Sequence, residues 1–263
     1  MPSPQRAAHP DFTGQVALVT GGASGIGRAI AEGFAAAGAT TVAADLNEAA
    51  LAELEPTGIE AATLDVTDET QVDRVFGDVH ERHGRLDVVV NCAGVVSRKI
   101  PVTELGVTEW NRVIDVDLFG VFLCSRAAAR ILQPAGSGRI INVSSITSKI
   151  PRLNMAAYCV AKAGVVQLSK VLALELAKSG VTVNALCPGG TVTPLLEEST
   201  SGDGRSDMDY RVAGDTSVYR MGVPRGRLAT PEDHVGPTLF LASEAAAHMT
   251  GQAVFVDGGE SVV

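Results

Sequence analysis

The chain has 263 residues, 46% of them hydrophobic and 19% charged, a balance that excludes a disordered polymer and suits one α/β domain with a sizeable core. Its formal net charge of −9 argues against nucleic acid or an anionic membrane surface as the main partner. The 4 cysteines, Cys92, Cys124, Cys159 and Cys187, form no CxxC and no Cys/His cluster, so neither a disulfide framework nor a metal site is indicated.

Residues 1–14 are polar and contain proline, without the apolar centre of a leader, and read as an N-terminal extension. No apolar run approaches the ~18 residues that a membrane span needs. A soluble, cytoplasmic protein is the expectation. The run VALVT at 16–20 predicts a strand, followed by a glycine-rich turn and a helix over 27–37. A second strand at 41–44 ends at Asp45, and a third at 60–64 ends at Asp65. A helix over 69–84 leads to the strand DVVVN at 87–91. His80 and His83, one turn apart on that helix, have no ligand motif around them and read as solvated surface. One long helix is expected over 107–132, a strand over 139–143, another long helix over 155–179 and a strand over 181–186. The stretch 194–227 is polar and irregular and reads as a lid-like insertion; a helix around 231–243 and a strand at 253–256 close the chain. Apolar strands separated by helical stretches predict a single domain over 15–263, a doubly wound parallel sheet of the Rossmann type with helices on both faces. Ligands of such a sheet bind at the carboxyl ends of the strands.

The turn after the first strand reads Thr20-Gly21-Gly22-Ala23-Ser24-Gly25-Ile26-Gly27. Glycines at 21, 25 and 27 let backbone approach a pyrophosphate, and the helix behind them offers free N–H groups and a positive dipole end. Asp45 follows Gly27 by 18 residues. A carboxylate there accepts hydrogen bonds from the adenosine ribose and repels a 2′-phosphate, which predicts NAD over NADP; the plainer reading is a helix-capping Asp. Asp65-Val66 is placed to meet the adenine edge, although an Asp after a strand also serves as a cap.

Tyr158 and Lys162 stand at i and i+4 of one helix and so share a face. A free phenol ionises near pH ~10, and a fixed ammonium brings that value down. Ser145, from the adjacent strand end, can hydrogen-bond the substrate oxygen. Together these make an acid/base, its electrostatic tuner and an oxygen anchor. A buried aromatic beside a solvated lysine is the structural alternative.

The glycine turn, Asn91-Cys92-Ala93-Gly94, Ser144-Ser145, Tyr158 with Lys162, Pro188-Gly189 and Val256-Asp257-Gly258-Gly259 occur in an order and at spacings that resemble the short-chain dehydrogenase/reductase family. The resemblance spans 15–259 and implies hydride exchange between NAD(H) and a small alcohol or ketone, with Ser145, Tyr158 and Lys162 catalytic. It implies that Lys162 also binds the nicotinamide ribose and that Pro188, Gly189, Thr191 and Thr193 meet the carboxamide side. Asn91, Ala93 and Gly94 would lie along the cofactor. Asn91 stands in the same motif and ties neighbouring strand ends, and Ser144 is structural. A homotetramer built on the two long helices and the C-terminal segment is also implied.

One position departs from the family pattern V-N-L-x-G: the chain reads Val116-Asp117-Leu118-Phe119-Gly120, with Asp117 where a proton-relay asparagine is usual. An ionised Asp117 would pair with Lys162 and weaken its pull on Tyr158. Within the family, PRLNMAAY at 151–158 and ELAKSGV at 175–181 resemble the 2,3-dihydro-2,3-dihydroxybenzoate dehydrogenases and related cyclic-diol oxidising enzymes. Arg152, six residues before Tyr158, is then positioned to grip a substrate carboxylate, or else is a solvated loop residue. A ketoreductase on polyketide or acyl substrates and a catalytically weak NAD-binding sensor are the alternative functions.

Overall fold

The computed structural model describes residues 10–198 and 207–262. Strand β1 (Val16–Thr20) is buried along its whole length, as an apolar run covered on both faces must be. The glycine turn then enters α1 (Gly25–Ala36). Gly21 has φ +65°, and a Cβ on it would lie 2.7 Å from the Ala93 backbone; a Cβ on Gly27 would lie 2.1 Å from the Gly21 carbonyl oxygen. Larger residues would push α1 off the sheet. The chain continues through β2 (Thr40–Asp45), α2 (Glu48–Ala52), β3 (Glu60–Thr63), α3 (Glu69–His83), β4 (Val88–Asn91), α4 (Val107–Ile114), α5 (Val121–Ala135) and β5 (Gly138–Val143). Then come α6 (Ala156–Leu176), β6 (Val181–Pro188), α7 (Pro194–Glu198), α8 (Asp207–Ala213), the short pair β7 (Gly214–Asp215) and β8 (Arg220–Met221), α9 (Val235–Ala242) and β9 (Ala253–Val256).

Seven strands form one parallel sheet in the order β3-β2-β1-β4-β5-β6-β9. Connections run outward in both directions from β1 and β4, so the loops at their carboxyl ends part and leave a crevice. On one face Ile30 and Phe34 of α1, Leu51 of α2 and Leu239 of α9 pack against Ala17 and Val19. On the other face Val72 and Phe76 of α3, Leu123 and Leu132 of α5 and Ala173 of α6 pack against Leu18 and Val89. Asp68 caps α3, accepting from the Thr70 and Gln71 amides, and Gly84 ends it in the left-handed region. This is the doubly wound Rossmann-type architecture that the strand pattern predicts.

Three features differ from the sequence reading. The helix expected over 107–132 is α4 and α5 joined by a π-helical turn, Asp115–Gly120. One extra residue in a turn leaves no periodic trace in sequence, yet it re-aims the side chains it carries. The stretch 194–227 is not wholly irregular, since it holds α7, α8 and the β7–β8 hairpin; residues 199–206 lie outside the described residues. The extension expected over 1–14 falls largely outside them too, and at its end Phe12 is buried edge-on against Phe34, ring centroids 5.1 Å apart. By length and apolarity alone, α6 passes the test for a membrane-crossing helix, contrary to the expectation that no such run exists. Here it lies on the sheet, burying Ala157, Ala161, Lys162, Val165, Ser169, Ala173 and Leu176.

Candidate active site

A cavity of about 690 Å³ follows the carboxyl ends of the central strands. At one end Gly21, Ser24, Gly25, Ile26 and Gly27 line it. Ser24 precedes α1 without capping it, and the first turn carries no acidic side chain. Among the described residues no side chain caps the N-terminus of α1, so its N–H groups and positive end face the cavity, a cradle that fits a pyrophosphate. Asp45 lines the same region from the end of β2. Its Oδ2 accepts from the Ala23 amide at 3.1 Å and its Oδ1 from the Asn47 amide at 3.0 Å, which holds the carboxylate still at the cavity edge. Asp65 and Val66 also line it, with Asp65 Oδ1 accepting from the Thr67 amide and hydroxyl; neither Asp45 nor Asp65 caps a helix, since Asn47 caps α2 and Asp68 caps α3.

Ala93 and Gly94 form the floor, their segment pinned where Thr20 Oγ1 accepts from the Cys92 and Ala93 amides at 3.1 and 3.3 Å. Asn91 does not line the cavity. Its side chain points into the layer between sheet and helices, donating to Asn142 Oδ1 at 2.8 Å and to Ser125 Oγ at 3.1 Å. That corrects its inclusion among cofactor contacts and matches the strand-tying role. Pro188, Gly189, Thr191 and Thr193 line the opposite wall. The Thr191 hydroxyl donates to the Gly189 carbonyl and lies 2.9 Å from His234 Nε2, whereas Thr193 Oγ1 accepts from the Leu196 amide at 3.2 Å. The set of residues fits a nicotinamide dinucleotide.

Ser145, Tyr158 and Lys162 converge on the same cavity. Ser145 follows β5 and lines the cavity beside Tyr158, its Oγ accepting from the Thr147 amide at 3.2 Å. Lys162 Nζ lies 5.6 Å from the centre of the Tyr158 ring. Ser144 is structural: its hydroxyl donates to the Lys162 carbonyl at 2.7 Å and fixes that turn of α6 against β5. Lys162 Nζ donates to the Val143 carbonyl at 3.3 Å and forms an ion pair with Asp117 Oδ1 at 3.0 Å.

Asp117 is fully buried in the π-helical turn, its Oδ1 also accepting from the Val95 amide at 3.3 Å. Its Oδ2 has no hydrogen-bond partner among the described residues. A Cβ on Gly94 would stand 2.7 Å from Asp117 Oδ1, so the floor must be glycine for the carboxylate to reach Lys162. Burial pushes the Asp117 carboxyl above its ordinary range against the pull of Lys162. Burial alone would lower Lys162, but Asp117 and Tyr158 outweigh it and hold the ammonium above its usual value. Tyr158 is the correction. Its phenol lies above the ordinary range, because burial and the Asp117 charge outweigh Lys162 and the Ser145 hydrogen bond.

At the far end Arg152 lines the cavity, and with its side chain 9% exposed it is no solvated loop residue. Its Nη2 is hydrogen-bonded to Oε1 of Glu260, and Arg220 reaches the same oxygen at 3.3 Å. Sequence reasoning missed both partners. Glu260 directly follows Val256-Asp257-Gly258-Gly259, a position that draws attention only once that segment is known to fold over the cavity. Arg220 sits in the polar stretch without a periodic cue.

A family model described as enoyl-(acyl carrier protein) reductase matches residues 21–261. A cis-4-hydroxycyclohexanecarboxylate dehydrogenase from Sinomonas cyclohexanicum is 41% identical over 257 residues, covering 96% of this chain and 98% of the relative. A 2,3-dihydro-2,3-dihydroxybenzoate dehydrogenase from Bacillus subtilis is 33% identical over 255 residues, covering 95% and 97%. Among solved structures, a 3-ketoacyl-(acyl-carrier-protein) reductase from Brucella melitensis complexed with NADH superposes with a TM-score of 0.85 at 32% identity, covering 95% of this chain and all of that one. With the glycine cradle, the Ser145–Tyr158–Lys162 cluster and the seven-stranded parallel sheet in one chain, the protein belongs to the short-chain dehydrogenase/reductase family of oxidoreductases.

Proposed function

We propose that the protein is an NAD(H)-dependent dehydrogenase that interconverts a secondary alcohol on a small ring and the corresponding ketone. The observation that carries this reading is the meeting of Ser145, Tyr158 and Lys162 in the cavity that begins at the uncapped end of α1. A nicotinamide supplies, when bound, the carbon that accepts or gives up hydride. The protein's part is proton handling and orientation. Ser145 Oγ holds the substrate oxygen, and Tyr158 Oη takes the hydroxyl proton in oxidation and returns it in reduction. Lys162, kept charged by Asp117, stabilises the phenolate and binds the ribose beside it.

Asp45 supports NAD over NADP, because its fixed carboxylate would face a 2′-phosphate and neither Ser24 nor Leu46 beside it is basic. The neighbour complexed with NADH points the same way. A ring alcohol is favoured over an acyl chain by the names of the two relatives, both dehydrogenases of ring compounds bearing a carboxylate. The intact catalytic cluster disfavours an inert NAD-binding sensor. The elements of 194–227 act as a lid, with Leu195, Leu196 and Tyr210 on the cavity wall. The working form is a cytoplasmic homotetramer. A panel of cyclohexanol, a hydroxycyclohexanecarboxylate and a 3-oxoacyl thioester, each with NAD(H) and NADP(H), tests the reading. Turnover of the ring alcohols with NAD+ at least tenfold above NADP+ is expected; turnover of the thioester alone would refute it.

A further inference from the structure

Among the described side chains, the far wall of the cavity holds more guanidinium than carboxylate, with Arg152, Arg211 and Arg220 beside Glu260. Arg152 comes from the loop between β5 and α6, Arg220 from β8 and Glu260 from the segment after β9, and all three line the cavity that holds Ser145 and Tyr158. Their side chains are 9%, 11% and 0% exposed, and both arginines direct Nη2 at one oxygen, Glu260 Oε1. Two positive charges share one negative charge where water screens poorly. Donors are left over as well: Arg152 Nη1 and Arg220 Nε are buried with no acceptor among the described residues. Burial and repulsion from Arg152 press the Arg220 pKa down, as in a cluster short of negative charge.

We propose that Arg152 and Arg220, held in place by Glu260, form an anion subsite that binds a carboxylate on the substrate. The inference rests on the alcohol–ketone reading above and specifies its substrate class: ring alcohols that are also acids. A guanidinium fork matches the two oxygens of a carboxylate, which it binds through parallel hydrogen bonds. Position fits as well. The Arg152 amide donates to Cys159 Sγ at 3.4 Å, so the loop carrying the subsite is tied to the residue next to Tyr158. The distance between anchor and acid/base is thereby set by α6 itself.

The test uses cyclohexanecarboxylate and its methyl ester, titrated into the NAD-saturated enzyme. Neither probe has a hydroxyl, so binding reports the subsite, while oxidation of cyclohexanol by the same preparation reports the alcohol–ketone reading. The acid should bind at least tenfold more tightly than the ester in the wild type. That ratio should fall to within about twofold in Arg152→Gln and in Arg220→Gln, with NADH titration as the check on folding, and Arg220→Lys should keep several-fold preference because it keeps the charge. Equal binding of acid and ester by the wild type overturns the proposal without any variant, and so does a preference that survives both glutamine substitutions.

Discussion

Asp117 places a carboxylate where the family pattern usually carries an amide, and the consequence reaches Tyr158. The buried pair with Lys162, 3.0 Å apart, keeps the ammonium charged but spends part of its field on Asp117 rather than on the phenol. Asp117 itself pushes the Tyr158 pKa up. Oxidation needs the phenolate as base, so its rate rises with pH through the Tyr158 pKa. Asp117→Asn removes the negative charge, lowers that pKa and should move the rising limb of the oxidation profile to lower pH; the reductive profile, which needs the protonated phenol, should lose its alkaline side earlier. Profiles that coincide with the wild type would show that Asp117 does not act on the pair. Asp45 offers a second check. Asp45→Ser should narrow the preference for NAD over NADP, measured as the ratio of dissociation constants, from at least tenfold to a few-fold.

At the scale of elements, β1 and β4 were legible because each is an apolar run bounded by turn residues, and they and β5 are buried throughout, whereas the two-residue strands β7 and β8 in the polar stretch were not. The helical face carrying Tyr158 and Lys162 was legible from i, i+4 spacing alone. The π-helical turn at Asp115–Gly120 was not, because one extra residue in a turn leaves no periodic trace; its Gly120 packs so close to Val66 that a Cβ there would lie 2.7 Å from that side chain. Likewise the Arg152–Glu260 contact joins residues 108 apart in sequence, and no local pattern encodes it. A buried polar network ties β4, β5, α5 and α6 together: Asn142 Oδ1 accepts from Asn91 Nδ2 and Ser125 Oγ, and Asn142 Nδ2 donates to Ser169 Oγ at 3.0 Å. Asn142→Ala removes three buried hydrogen bonds, while Asn91 Nδ2 keeps Ser125 Oγ and Ser169 Oγ keeps the Val165 carbonyl, and should cost about 1–3 kcal/mol in denaturant unfolding. A loss below ~0.5 kcal/mol would mean that the network does not hold these elements.

For the whole molecule, the two long helices leave apolar side chains in solvent on their outer faces: Phe119 and Phe122 beside and on α5, Val160, Val171 and Leu174 on α6. Leu174, 80% exposed, is the most exposed of these five, and a second copy of the chain would cover this face. Light scattering should find a tetramer, and Leu174→Glu should reduce it to a smaller species; a wild-type monomer at micromolar concentration contradicts the proposed assembly. The central claim, however, is that Tyr158 moves the proton in an NAD-linked oxidation of a ring alcohol. It is tested most directly by following the absorbance of reduced nicotinamide when NAD+ and a hydroxycyclohexanecarboxylate are added to wild-type and Tyr158→Phe protein. The predicted result is steady reduction by the wild type and a rate at least ~100-fold lower in the variant, with NADH still bound at near wild-type affinity; undiminished turnover in Tyr158→Phe would contradict it.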